Sequence, residues 1–205
     1  MLELAGRAFL TLFVVIDPVG MAPLFLGLTP TATPAERRGI ARRAVGAAAL
    51  VLLAFALGGA WFLRQIGISL SAFRVAGGIL LFRIAVEMVF AQHERETEEE
   101  AAEARGRRDI AIFPLSIPLI AGPGALASVM ILAGEAEGMP GLGMVIAMGA
   151  AVLAMTYAAL LTADRVARAL GRTGVNVITR VLGILLSALA VQYIADGARH
   201  LLSAG

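Results

Sequence analysis

The sequence predicts an all-α integral membrane protein. It predicts six transmembrane helices as two inverted three-helix repeats, with helices 1 and 4 broken near the bilayer midplane. Three observations carry this expectation. Residues 44–63, 110–134 and 138–163 contain no charged side chain, and about 20 apolar residues are enough for a helix to cross a bilayer. Two of the apolar stretches are interrupted, at "VIDPVGMAPLF" (15–25) and "LIAGPGALAS" (119–128). The two interruptions coincide when the chain is slid along itself so that Pro18 falls on Pro123.

Composition agrees. Hydrophobic residues make up 59% of the 205 and charged residues only 16%, against about a quarter charged in soluble domains. The pI near 9.9 makes no case for a nucleic-acid partner, because the net charge is +2. All 17 basic residues are arginine, and there is no cysteine. Disulfides and thiolate metal sites are therefore excluded. The apolar run after Arg7 continues into the "DPVG" break without a cleavage site, so no signal peptide is expected.

In chain order, the first span is expected over 7–29, with Asp17-Pro18 inside it. Proline lacks an N–H and disfavours helix in the residue before it, yet suits the first position of a new helix. Asp17-Pro18 thus reads as N-cap and first residue of a half-helix. The second span covers 41–63 and the third 70–91. Gly58-Gly59 and Gly77-Gly78 within them are expected to let helices approach closely. Arg83 and Glu87 on the third span are four residues apart and so share a helix face. They form either a structural ion pair or a gate or proton relay.

A charged stretch over 92–109, "HERETEEEAAEARGRRD" at its core, is expected to be a solvated loop. The fourth span, 110–134, breaks at Gly122-Pro123, with glycine as the cap, and Pro114 and Pro118 loosen its first half. Those broken halves alternatively form re-entrant hairpins. The fifth span covers 140–163 and the sixth 175–198. Tyr157 and Asn176 are isolated polar residues that suggest packing.

The offset that superposes the breaks also lays Gly78-Ile79-Leu80-Leu81 on Gly183-Ile184-Leu185-Leu186, and Ala85-Val86 on Ala190-Val191. Gln192 falls on Glu87. The chain is read as a single transmembrane domain, 1–205. Repeat one covers about 1–91, the loop 92–109, and repeat two about 110–200. Three spans per copy force the second to enter the membrane from the opposite side, as in secondary transporters. Arginines cluster after spans one, three and five: Arg37, Arg38, Arg42 and Arg43, then Arg95, Arg105, Arg107 and Arg108, then Arg165, Arg168 and Arg172. The positive-inside rule makes these loops cytoplasmic and both termini external.

A half-helix beginning inside the membrane leaves backbone N–H groups unpaired and adds a partial positive charge. Two such starts near a pseudo-two-fold axis make an anion-friendly pocket, kept slim by Gly20, Ala22, Gly122, Gly124, Ala125 and Ser128. Asp17 adds the opposite sign. It meets an ammonium, carries a proton, or only caps its half-helix; a charge at this depth is costly and usually functional. A zwitterionic amino acid suits such a pocket.

At these residues the chain resembles the MarC family, also called the neutral amino acid transporter family. "DPVGMAPLF" is similar to its first-half motif, "FPLSIPLIAGPGAL" to its second-half motif and "FRVAGGILLF" to its third-span pattern, and the likeness covers essentially the whole chain. The resemblance implies a multi-pass inner-membrane protein of a bacterium or archaeon, with glycine- or alanine-like substrates for some members. On the motif match it transfers Asp17, Pro18, Gly20, Pro23, Gly122, Pro123 and Gly124 to the substrate site. The family pattern has an aliphatic residue where this chain has Arg83, so a role for the Arg83–Glu87 pair does not transfer.

The expected function is secondary transport of small neutral amino acids, with or without a coupling ion or proton. The alternatives are a channel or a non-transporting assembly partner. An enzyme is not expected: His93 and His200 lie at span ends, and Asp17 is the only aspartate at midplane depth. No cofactor or metal is expected, and oligomeric state is left open.

Overall fold

The computed structural model describes residues 1–90 and 109–203. The expected charged loop, with His93, Arg95, Arg105, Arg107 and Arg108, therefore lies outside the described residues apart from Asp109.

Every element among the described residues is helical. The first apolar stretch is two helices, α1 (Leu2–Ile16) and α2 (Pro18–Leu28), separated by Asp17 alone. Next come α3 (Pro34–Gln65) and α4 (Leu70–Phe90). Thr33 opens α3 with a capping box: its hydroxyl accepts from the Glu36 amide at 3.3 Å, and Glu36 Oε2 accepts from the Thr33 amide at 2.8 Å. The second apolar stretch begins with α5 (Ala111–Ile120), an irregular wide coil containing Pro114 and Pro118. Its backbone leaves helical geometry at Phe113 and Ile117, each followed by a cis proline. The adjoining α6 (Pro123–Glu135) is regular and bends from α5 by 55°. The last elements are α7 (Gly138–Leu161) and α8 (Ala163–Ser203).

Within α8, Gly171 takes φ 61 and ψ 176, a conformation that only glycine adopts readily. It divides a short leading helix, over residues expected to form a loop, from the long part Thr173–Ser203.

Four helical segments are long and apolar enough to cross a membrane: Leu2–Leu28, Pro34–Gln65, Gly138–Leu161 and Thr173–Ser203. The bent α5–α6 pair is a fifth when taken as one span. The expected third span, α4, falls short because its 21 residues include Arg74, Arg83 and Glu87. Apolar side chains occupy the outside as well as the core, among them Leu50, Trp61, Ile79, Ile184 and Leu185. That is the surface a hydrocarbon solvent requires.

The helices pack in matched pairs. α1 lies on α7 while α5 lies on α3; α2 lies on α7 and α8 while α6 lies on α3 and α4. The most extensive contact joins α4 to α8. A Cβ on Gly78 would come within 2.8 Å of the Ala190 carbonyl oxygen, and one on Gly183 within 3.0 Å of the Ala85 carbonyl oxygen. The two contacts exchange under the sequence offset that superposes Pro18 on Pro123. Higher numbers on one helix meet lower numbers on the other, so the helices cross antiparallel. Gly59 and Gly77 are also close contacts, against Met130 and against Ile131 and Ala127. Gly58 differs from expectation: a Cβ there would meet open space.

Candidate functional site

The first break is organised by one residue. Asp17 sits at φ 46, ψ 70, in the left-handed region that aspartate tolerates better than most residues. Its amide donates to Phe13 O at 3.0 Å, closing α1, and its carbonyl accepts from the Met21 amide at 3.0 Å, opening α2. Its carboxylate Oδ1 accepts from the Gly20 amide at 3.0 Å, the hydrogen bond of an N-cap. Oδ2 accepts from the Thr179 hydroxyl of α8 at 2.8 Å. The side chain is buried, at 8% exposure.

Pro18 is the first residue of α2, as expected. Gly20 has a local reason to be glycine: a Cβ there would run into the Asp17 carboxylate and stand 3.1 Å from Thr179 Oγ1. Pro23 lies inside α2, where it withholds an amide from the carbonyl of Val19.

The second break differs. Gly122 is the N-cap of α6 in an extended conformation, and no side chain caps the helix. Pro123 is its exposed first residue. Gly124 is buried, and a Cβ there would lie 2.7 Å from Ile84 Cδ1 and 3.2 Å from both Leu81 Cδ2 and Val15 Cγ1. Val15 is two residues before Asp17, so the start of α6 faces the last turn of α1. Ser128 is fully buried one turn further on, and among the described residues its hydroxyl has no hydrogen-bond partner. The Ser116 hydroxyl on α5 is in the same condition.

One break thus holds a carboxylate over its own helix start, and the other presents an uncapped helix start. The first suits a cation or proton and the second an anion. Space beside Gly20 and Gly124 is filled by neighbouring side chains, so the slimness expected of a pocket serves close packing at those two positions. Among the described residues no group of three histidine, aspartate or glutamate side chains is placed to hold a metal ion.

Arg83 and Glu87 do pair, Nε to Oε1 at 2.6 Å. The guanidinium is on the outer surface of α4, with 71% of its side chain exposed, while Glu87 is buried. Ile84 beside it is the residue that reaches Gly124.

Sequence reasoning missed two features. Thr179, which completes the Asp17 site, is a lone hydroxyl in "NVITRVLG"; its signal was that the repeat offset lays it on polar Arg74. The other is a charge network. Glu135 at the end of α6 bridges Arg7 of α1 and Arg74 of α4, both at 2.8 Å. Its signal was that Glu135 is the first charge after a long uncharged run.

Comparison with known sequences places these residues in company. Residues 2–202 match the model of a family described as MarC family integral membrane proteins. A UPF0056 membrane protein of Methanocaldococcus jannaschii is 41% identical over 94% of this chain and 94% of its own length. UPF0056 membrane protein YvbG of Bacillus subtilis is 38% identical over 93% and 92%. UPF0056 membrane protein YhcE of Escherichia coli is 34% identical over 93% and 90%. None of these names states an activity, and no solved structure matches the chain.

Proposed function

The chain belongs to the MarC family of integral membrane proteins, and from that premise we propose that it is a secondary transporter of small neutral amino acids. The observation that carries the reading is the pairing of two unlike helix breaks, one with a buried carboxylate and one with an uncapped N-terminus, brought together where Val15 faces Gly124. A zwitterion presents both complementary charges at once. Its carboxylate is bound by the start of α6 and its ammonium by Asp17, with Thr179 holding the aspartate in place. Gly122, Pro123 and Ser128 sit at or within two turns of that start, and Pro18, Gly20 and Pro23 shape the opposite one. Arg83–Glu87 is an ion pair along one face of α4.

The same reading makes α4 a sixth span and the two halves inverted repeats. Its support is the matched packing of α1–α7 with α5–α3 and the exchange of Gly78–Ala190 for Gly183–Ala85. Arginine placement supports cytoplasmic loops after spans one, three and five, external termini and an inner-membrane location. No cofactor or chemical step belongs to this reading.

The test is uptake and exchange by purified protein in proteoliposomes, using labelled glycine, alanine, serine and larger amino acids, with and without proton and sodium gradients. Saturable exchange of the small neutral members is expected. Absence of exchange for the whole panel would overturn the reading, and a steady unsaturable current would make the protein a channel.

A further inference from the structure

A groove of about 490 Å³ runs between α1, α3, α6 and α7, apart from the residues of either break. Its floor is apolar and buried, made by Leu12, Leu52, Val145 and Leu153. Its rim is open to the surroundings through exposed Leu53, Ala150 and Ala154. Along α3 its lining extends from Arg42 to Ala56, a length of roughly 21 Å at 1.5 Å per residue. That is somewhat more than one leaflet's half of a hydrocarbon core about 30 Å thick.

The two ends are unlike. The Ala56 end is wholly apolar. At the other end stand Arg42 and Tyr157. Arg38, four residues before Arg42, shares its helix face. Both arginines are exposed, and neither makes an ion pair or hydrogen bond among the described residues. Neighbouring arginines do: Arg37 pairs with Asp164 and Arg43 with Asp109.

We propose that this groove is a binding site for an anionic glycerophospholipid, with one acyl chain laid along α3 and the phosphate held by Arg42 and Arg38. A long apolar slot with a cationic end fits a molecule that is itself a long apolar chain with an anionic end. Basic pockets between helices at the cytoplasmic surface commonly hold such headgroups, and Tyr157 is the kind of side chain that sits at that interface. The site does not depend on the transport reading.

The experiment uses delipidated full-length protein in neutral detergent, titrated with phosphatidylglycerol or phosphatidylcholine. Retained lipid is counted by native mass spectrometry, and thermal stability is followed in parallel. Phosphatidylglycerol is expected to bind in a 1:1 complex and to raise the melting temperature more than phosphatidylcholine. Arg42→Gln should weaken the preference roughly fivefold, and Arg38→Gln with it about as much again, from about 1 kcal/mol per arginine. Gly149→Leu should abolish retention of both lipids: a Cβ there meets only Leu12 Cδ1 at an ordinary 3.6 Å, so the side chain enters the groove without a clash at its base. Ala154→Leu, on the exposed rim, fills the groove independently should Gly149→Leu fail to fold. Equal binding of the two lipids by wild type would overturn the proposal. So would retention unchanged by both groove-filling variants, or protection of the groove by dimerisation without lipid.

Discussion

The Thr179 hydroxyl donates to Asp17 Oδ2 at 2.8 Å, across 162 residues of chain. With the Gly20 amide on Oδ1, it fixes both oxygens of a buried carboxylate. Asparagine caps helices about as well as aspartate, and its amide can face a Thr179 hydroxyl turned to accept. Asp17→Asn is therefore expected to stay folded, with a thermal midpoint close to wild type. Substrate affinity should fall about ten- to a hundredfold, since a hydrogen bond to a charged group contributes roughly 1.5–3 kcal/mol. Binding and exchange measured on the same preparation check this. Full activity in a stable variant would leave Asp17 as a cap alone.

The α4–α8 crossing gives a paired prediction. Alanine at Gly78 meets a backbone oxygen at 2.8 Å, and alanine at Gly183 meets one at 3.0 Å. Backbone cannot yield as a side-chain tip can. Both substitutions should destabilise by about 1–3 kcal/mol, the usual range for overpacking, and by similar amounts. Gly58→Ala, in open space, is the control and should be neutral or slightly stabilising through helix propensity. Thermal denaturation in one detergent compares the three.

Gly124 stands against side-chain ends instead, with Ile84 Cδ1 the tightest contact. Gly124→Ala should cost stability that Ile84→Val recovers, because valine removes that terminal methyl. A recovered double variant that still binds poorly would place substrate against α6; one that binds normally would make Gly124 a packing position only. Stability and affinity read together separate the two.

Because the chain has no cysteine, single introduced cysteines report topology cleanly. Positions 38 and 168 are expected to label from the cytoplasmic face, and positions 2 and 203 from outside. Labelling of 2 and 203 on opposite faces would show an odd number of crossings and defeat the six-span count, with α4 or the bent α5–α6 pair the segment that fails to cross.

Much of this architecture was readable from residue order. The Asp17-Pro18 and Gly122-Pro123 breaks appear where the proline rule puts them, because a missing N–H acts locally and needs no tertiary partner. The glycine cap at Gly122 follows from the same local signal, whereas of the expected packing glycines Gly59, Gly77 and Gly78 meet a neighbouring helix and Gly58 does not. Thr179 was not readable as a ligand of Asp17: its role depends on how α8 packs against α2, a relation no local pattern carries. Glu135 was invisible as a bridge for the same reason, since Arg7 and Arg74 come to it from two other helices. The helical turns after Ala163 were missed because their arginines look like a loop, whereas the break occurs later, at Gly171.

On the repeat reading, Gly122 is the counterpart of Asp17, and the two halves of the molecule descend from one unit. They are no longer interchangeable. Any Cβ at position 122 would run into the carbonyl oxygen of Pro118, so an acid cannot arise there unless the backbone of α5 first moves. On that reading only the first half keeps an internal counter-charge at its break, and under the transport proposal the second is left for an anion that arrives. Divergence between the copies is thus held in one direction by a single main-chain oxygen, and reversing it would require two coordinated changes rather than one.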